Sequence, residues 1–256
     1  MDLQLTGRVA LVAGSSRGIG KAIAAALLRE GCRVCVSGRN QSALDTACAD
    51  LRTDFGEMVI GISADLTQAS AVNDVLTTIC KTWQSPEILV ANLGSGSGNL
   101  GWELDESEWE RLFNLNLFGS IRLAQSVIPH MKSRGGNILF VSSIAGLEAS
   151  PAPLPYSAAK AALVNYSKNL SRAVAADRIR VNCICPGNVL FPGGSWERHL
   201  ADRGHEVEKY ISSEVPQQRF GTPEEIADFA AFLVSPASKF ATGGVFVVDG
   251  GQTRSI

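Results

Sequence analysis

The stretch Val9-Ala10-Leu11-Val12-Ala13-Gly14-Ser15-Ser16-Arg17-Gly18-Ile19-Gly20-Lys21-Ala22-Ile23-Ala24 decides the fold. Its first five residues are apolar and read as a buried strand, and Lys21 to Ala24 open a helical period, so the glycines lie in a strand-to-helix turn. Gly14 permits a tight turn, Gly18 lets the backbone approach a bound group, and Gly20 allows close packing of helix on strand, while the helix N-terminus offers free N–H groups. That combination suits a pyrophosphate, and Ser15, Ser16, Arg17 and Ile19 complete the candidate loop. In another context, glycines at this spacing would be a turn and nothing more.

Outward from this unit, short apolar runs alternate with helix-period stretches to the end of the chain, the pattern of repeated βα units around a parallel sheet. Strands are expected at 9–13, 33–37, 58–63, 88–92, 137–142, 180–185 and 245–248, and helices at 18–30, 42–54, 69–83, 106–132, 155–176 and 223–234. Asp105 reads as an N-cap, and Thr222-Pro223-Glu224-Glu225 as a helix start with proline first and acids in the first turn. The fold class is therefore α/β, a single domain over 1–256 with a doubly wound parallel sheet of about seven strands and helices on both faces. Segment 190–216 breaks the pattern: it is long, polar and glycine-punctuated without a strand, which marks it as a lid over the site or a flexible insertion.

Composition narrows the partners. At 45% hydrophobic and 19% charged, the 256 residues suit a globular core rather than a disordered chain or a fibre. The formal net charge of -2 supplies no basic surplus for nucleic acid or an acidic membrane, so a small-molecule partner is expected. The opening residues carry an acid at position two and no apolar core, and the run 22–28 is too short to span a bilayer, which makes the cytoplasm the expected compartment. Cys32 and Cys35 form a C-x-x-C, but an odd spacing on a strand points the thiols to opposite faces. The six cysteines are read as free and mostly buried. His130, His199 and His205 have no ligand spacing with them, and no metal is expected.

The second strand ends Ser37-Gly38-Arg39, with no carboxylate to take the ribose hydroxyls of NAD. Arg39 and Arg17 instead flank the adenosine ribose and suit a 2′-phosphate of roughly -1.5 to -2 charges, so NADP(H) is the expected cofactor. Farther on, Tyr156 and Lys160 are one helical turn apart, so phenol and ammonium share a face, and the cation is expected to lower the tyrosine pKa and make a proton donor near neutral pH. Ser143 lies upstream at the end of a strand-like run. Singly, these residues also read as a solvated helix face and a strand-end hydroxyl.

Together, Gly14-x-x-x-Gly18-x-Gly20, Asp65-Leu66, Asn92-x-Gly94, Asn116, Ser143, Tyr156-x-x-x-Lys160 and Pro186-Gly187 resemble the short-chain dehydrogenase/reductase family over nearly the whole chain. The resemblance implies a Rossmann fold and a catalytic set of Asn116, Ser143, Tyr156 and Lys160. In that set Tyr156 protonates a carbonyl oxygen as a nicotinamide delivers hydride, and Ser143 hydrogen-bonds the oxygen. Lys160 binds the nicotinamide ribose and lowers the tyrosine pKa, and Asn116 holds a water that connects the lysine to solvent. It also implies that Asp65 and Leu66 flank the adenine, that Asn92 and Gly94 lie beside the adenosine half, and that Pro186, Gly187 and the backbone of Val189 meet the nicotinamide end. Asp65 also reads as a cap for the helix beginning near Gln68.

Three departures from the family pattern stand out. Ala13 replaces a threonine that ties the glycine loop down, a role left to Ser15 or Ser16; Ala91 and Leu93 alter an Asn-Asn-Ala-Gly run; and Phe191 replaces a threonine, removing a pyrophosphate contact and putting an aromatic beside the nicotinamide. Within the family the chain looks most like the 3-oxoacyl-carrier-protein reductases and related ketoreductases. Arg134 matches one basic docking position of those enzymes, whereas the second falls on Asp177 with Arg178 next to it. With Phe191 and Trp196 in a long lid, a free ketone, a steroid, a sugar-derived or a CoA-linked substrate stays open. The family also implies a homotetramer built on helices 106–132 and 155–176, where Ala158, Ala162, Val164 and Leu170 suit close packing. The readings set against an NADPH-dependent ketone reductase are a nucleotide-sensing or interaction protein of the same fold, and an NAD-linked alcohol dehydrogenase, which Gly38 and Arg39 disfavour.

Overall fold

Parallel pairing joins every neighbouring strand of one sheet: β1 (Val9–Ala13), β2 (Arg33–Gly38), β3 (Val59–Ser63), β4 (Ile88–Ala91), β5 (Gly136–Val141), β6 (Ile179–Pro186) and β7 (Val245–Val248), in the order β3-β2-β1-β4-β5-β6-β7. This computed structural model describes residues 1–254. The helices are α1 (Gly18–Arg29), α2 (Gln41–Phe55), α3 (Ala69–Thr82), α4 (Glu106–Phe113), α5 (Gly119–Met131), α6 (Leu154–Val174), α7 (Ser195–Glu214) and α8 (Pro223–Val234). None is long and apolar enough to cross a membrane.

Alternation along the strands sorts the core into two layers. Ala10, Val12, Val34, Val36, Val90 and Ile184 face the layer made by α1, α2 and α8. Val9, Leu11, Cys35, Leu89, Phe140 and Cys183 face the layer made by α3, α5 and α6. Cys32 and Cys35 fall in opposite layers, as their odd spacing requires, and all six cysteines are free. The strand order reverses between β1 and β4, and a crevice at the carboxyl ends of these strands is where a doubly wound sheet places its ligand.

Two elements differ from the sequence reading. The helix expected over 106–132 is interrupted by a π-helical turn, Asn114–Phe118, between α4 and α5. Segment 190–216 is largely helical. Its α7 kinks at Arg203 (φ -145, ψ 45), just before Gly204, and the two halves close on a small core of Val207, Val215 and Phe220 packed with Trp196, Leu200, Tyr210 and Ile211. α8 starts where Thr222-Pro223-Glu224-Glu225 was read as a helix start, and Thr222 there forms a reciprocal cap with Glu225. Asp105 occupies the N-cap position of α4 but makes no side-chain capping bond.

Candidate active site

The glycine loop takes the form its residues dictate. Gly14 has φ +65, and a Cβ there would stand 2.5 Å from the Asn92 carbonyl oxygen; a Cβ on Gly20 would collide with the Gly14 carbonyl. Asn92 Nδ2 donates to that same Gly14 oxygen at 2.9 Å, tying the end of β4 to the loop. Ser15, fully buried, takes over the anchoring that Ala13 lacks: its Oγ donates to the Val12 carbonyl at 2.6 Å and accepts from the Ser37 N–H at 2.9 Å. Ser16 stands beside Gly38, where a Cβ would come 3.0 Å from its Oγ.

The two arginines part company. Arg39 lines the cleft with no hydrogen bond or ion pair to the described residues. Arg17, the N-cap of α1, sends Nη1 to the carbonyl of Gly193 at 3.0 Å. Asp65 Oδ1 accepts from the Thr67 N–H at 3.1 Å and the Thr67 hydroxyl at 2.8 Å, so it shapes the turn that enters α3.

Ser143, two residues beyond β5, accepts the Ala145 N–H at 3.2 Å, which fixes the chain as it turns towards α6. Tyr156 lies in the first turn of α6 and Lys160 one turn on, 3% exposed. The Ser142 hydroxyl donates to the Lys160 carbonyl at 2.9 Å and docks α6 on β5, and a Cβ on Gly146 would stand 2.6 Å from the Lys160 backbone. Asn116 is fully buried in the π-helical turn, a feature often found at functional sites. Its Oδ1 accepts the Ser95 N–H at 3.0 Å and its Nδ2 donates to the Leu112 carbonyl at 3.0 Å. A Cβ on Gly94 would meet this Oδ1 at 2.7 Å and Lys160 Nζ at 3.0 Å, so the three residues enclose one small space that only glycine leaves open.

Electrostatics correct one expectation. Burial pushes the Tyr156 phenol up from its ordinary value, and the hydrogen bond from Ser143 pulls it part of the way back. The Lys160 ammonium does not govern it: Nζ donates to the Val141 carbonyl at 2.9 Å and stands 5.8 Å from the centre of the tyrosine ring. Burial also brings the lysine pKa down to about 8. Both groups are dehydrated, and desolvation disfavours each charge more than the pair favours them.

One cleft of about 850 Å³ gathers Ser143, Tyr156 and Lys160 with Gly14, Ser16, Arg17, Ile19, Arg39, Asp65, Leu66, Asn92, Gly94, Gly187 and Val189. Ser15, Gly18, Gly20, Asn116 and Pro186 lie behind this surface, where they hold its shape. Gly187 hangs from the Val248 carbonyl at 3.0 Å, and Val189 bridges to Gly221. Phe191 lines the same cleft, and its ring stands over Gly18, where a Cβ would lie 2.6 Å away. α7 also lines the cleft, through Trp196, which the sequence placed in the lid, and through Arg198, His199 and Tyr210, which the sequence reading did not single out as site residues. Trp196 and His199, three residues apart and so on one helix face, were the available signal.

The glycine-rich strand-to-helix turn, the crevice at the strand reversal and the Ser-Tyr-Lys cluster are features of nicotinamide-dependent oxidoreductases, and the comparisons agree. Residues 13–253 match the family model for enoyl-(acyl carrier protein) reductase. Over 253 residues, 98% of this chain and 100% of its relative, the chain is 36% identical to the 3-oxoacyl-[acyl-carrier-protein] reductase of Chlamydia muridarum. It is 34% identical to 2-(S)-hydroxypropyl-CoM dehydrogenase 3 of Xanthobacter autotrophicus, with 99% of both chains covered. Among solved structures, L-sorbose reductase from Gluconobacter frateurii, complexed with NADPH and L-sorbose, superposes with a TM-score of 0.93 at 32% identity and full coverage of both chains. The chain belongs to the short-chain dehydrogenase/reductase family. It is an oxidoreductase of the NAD(P)-dependent carbonyl-reducing type, acting on CH-OH and C=O groups.

Proposed function

We propose that the protein reduces a ketone to a secondary alcohol with NADPH, using Tyr156 as general acid and base. The observation that carries this reading is the convergence of Ser143, Tyr156 and Lys160 in the same cleft that the glycine loop and Arg39 line. The loop residues fit a dinucleotide: a tight turn, a helix N-terminus and an open guanidinium beside Gly38. When bound, the nicotinamide supplies the hydride. The protein's own residues handle the proton. Burial keeps the Tyr156 phenol protonated, Ser143 aligns it and shares the carbonyl oxygen, the phenol gives its proton to that oxygen as hydride reaches carbon, and Lys160, with a pKa of about 8, exchanges its proton near neutral pH and returns one to the tyrosinate left behind. Asn116 holds the Ser95 backbone and Leu112 in place beneath this group, and its water-holding role is part of the proposal.

NADP(H) preference rests on Arg39, free to take a 2′-phosphate where a ribose-binding carboxylate is missing, and an NADPH-bound relative at TM-score 0.93 supports it. The segment 190–216 acts as the substrate lid. A 3-oxoacyl-type or related carbonyl compound fits the relatives, whose names span a carrier-linked acyl group, a CoM thioether and a ketose. Nicotinamide fluorescence titration followed by a panel of acetoacetyl-CoA, diketones, cyclic ketones and ketoses tests the proposal. Tight NADPH binding with oxidation by a member of the panel is expected; a protein that binds neither NADPH nor NADH would overturn the cofactor assignment.

A further inference from the structure

Arg17 and Arg39 look equivalent in the sequence, yet only one of them is engaged. Arg17 Nη1 donates to the Gly193 carbonyl at 3.0 Å, and the N–H of the same Gly193 donates to Glu197 in the first turn of α7 at 2.7 Å. The root of the lid is thus bracketed, with α7 on one side and the first residue of α1's cap on the other. A second contact is independent of the first: the Phe191 ring rests on Gly18 and against Gly194, and the Gly194 N–H closes the turn on the Phe191 carbonyl at 3.0 Å. Residues 17 and 18 of the glycine loop therefore carry residues 191, 193 and 194 of the lid.

We propose that Arg17 is a lid-positioning residue that couples cofactor seating to lid placement. Arg17 uses one of its five N–H donors on the lid, and it lines the cleft at the N-terminus of α1, where a phosphate common to both cofactors would sit. A guanidinium holding a phosphate on one edge and Gly193 on the other ties the lid down when the cofactor is present. Lysine at this place could make the bonds only one at a time and without the fork. The lid contact stands on distances alone; the coupling to cofactor rests on the NADP(H) reading above.

Amide hydrogen exchange over 190–203, followed in the full-length protein with and without NADPH, tests the proposal alongside Kd values for NADPH and NADH. Arg17 is exposed, so its replacement leaves the core intact. Arg17→Gln is expected to speed exchange of the lid root about tenfold or more in the protein alone, the size of one hydrogen bond from a charged donor. It is expected to abolish the further slowing by NADPH, while Arg17→Lys restores part of the protection. Arg39→Gln is expected to keep wild-type lid exchange and to lower the ratio about tenfold or more. Wild-type lid exchange in Arg17→Gln would overturn the proposal whatever the ratio does. An unchanged ratio in Arg39→Gln would count against the NADP(H) reading, leaving the lid contact to be judged by exchange alone.

Discussion

Lys160 is buried, and burial holds its pKa near 8 although a single carbonyl, that of Val141, receives its ammonium. The folded pKa lies below the ordinary lysine value of 10.5, so between about pH 8 and 10.5 the unfolded chain binds more protons than the folded one. Stability from this group therefore rises with pH across that window and is flat below it. Urea unfolding at pH 7.5 and 9.5 is expected to show wild type gaining about 2 kcal/mol on Lys160→Met over that interval. An equal response of the two proteins would show that the lysine titrates normally. The Tyr156–Lys160 pair was legible in the sequence because its spacing is a helical turn. The direction of the tyrosine shift was not, because desolvation depends on what the rest of the chain packs around a group. Likewise Ser15 was one of two candidates to replace the missing threonine, and only the register of β1 beside β2, which brings the Ser37 N–H within 2.9 Å of its Oγ, selects it.

At the scale of elements, strands and most helices were legible because periods of two and 3.6 are written locally. The π-helical turn at Asn114–Phe118 was not, since one extra residue in a turn leaves no mark in an apolar pattern, yet it is what turns Asn116 towards Ser95 and the space under Gly94. Segment 190–216 hid its helix for a related reason. Its apolar residues face a core of its own, interrupted by the kink at Arg203, so the stripe is short in each half. Trp196 holds the halves together, stacked on Tyr210 at 5.4 Å and against Phe220 at 4.5 Å. Trp196→Ala is expected to loosen the lid while sparing the sheet: KM for the carbonyl substrate rises about tenfold or more, kcat falls less, and the main unfolding transition moves by no more than a few degrees. A large drop in Tm with unchanged KM would mean that the lid is part of the main cooperative unit and does not form the substrate wall.

For the whole molecule, the reversal of strand order between β1 and β4 gathers residues from positions 14 to 210 in one cleft, which is why the candidate site was scattered in sequence and contiguous in space. The outer surface bears on assembly. Phe118 is 43% exposed beside Phe113 and Trp109, at the α4–α5 junction, and Val245 and Val247 are open on the edge strand β7 near a fully exposed Phe240. Apolar side chains on an unpaired edge and a helix face suit burial against copies of the same chain. Light scattering is expected to give a tetramer mass, and Phe118→Glu to reduce it; a monomer mass for the wild type would remove the assembly from the account. The carrier-docking patch is less complete, because Asp177 pairs with Lys132 at 3.8 Å and Arg178 turns to the Ser133 carbonyl. The central claim is that Tyr156 moves the proton in a nicotinamide-dependent carbonyl reduction. It is tested most directly by comparing wild type with Tyr156→Phe for NADPH binding and for turnover of whichever ketone the wild type reduces. Unchanged NADPH affinity with kcat lower by a factor of about 1,000 or more is the predicted result; turnover within tenfold of the wild type would contradict it.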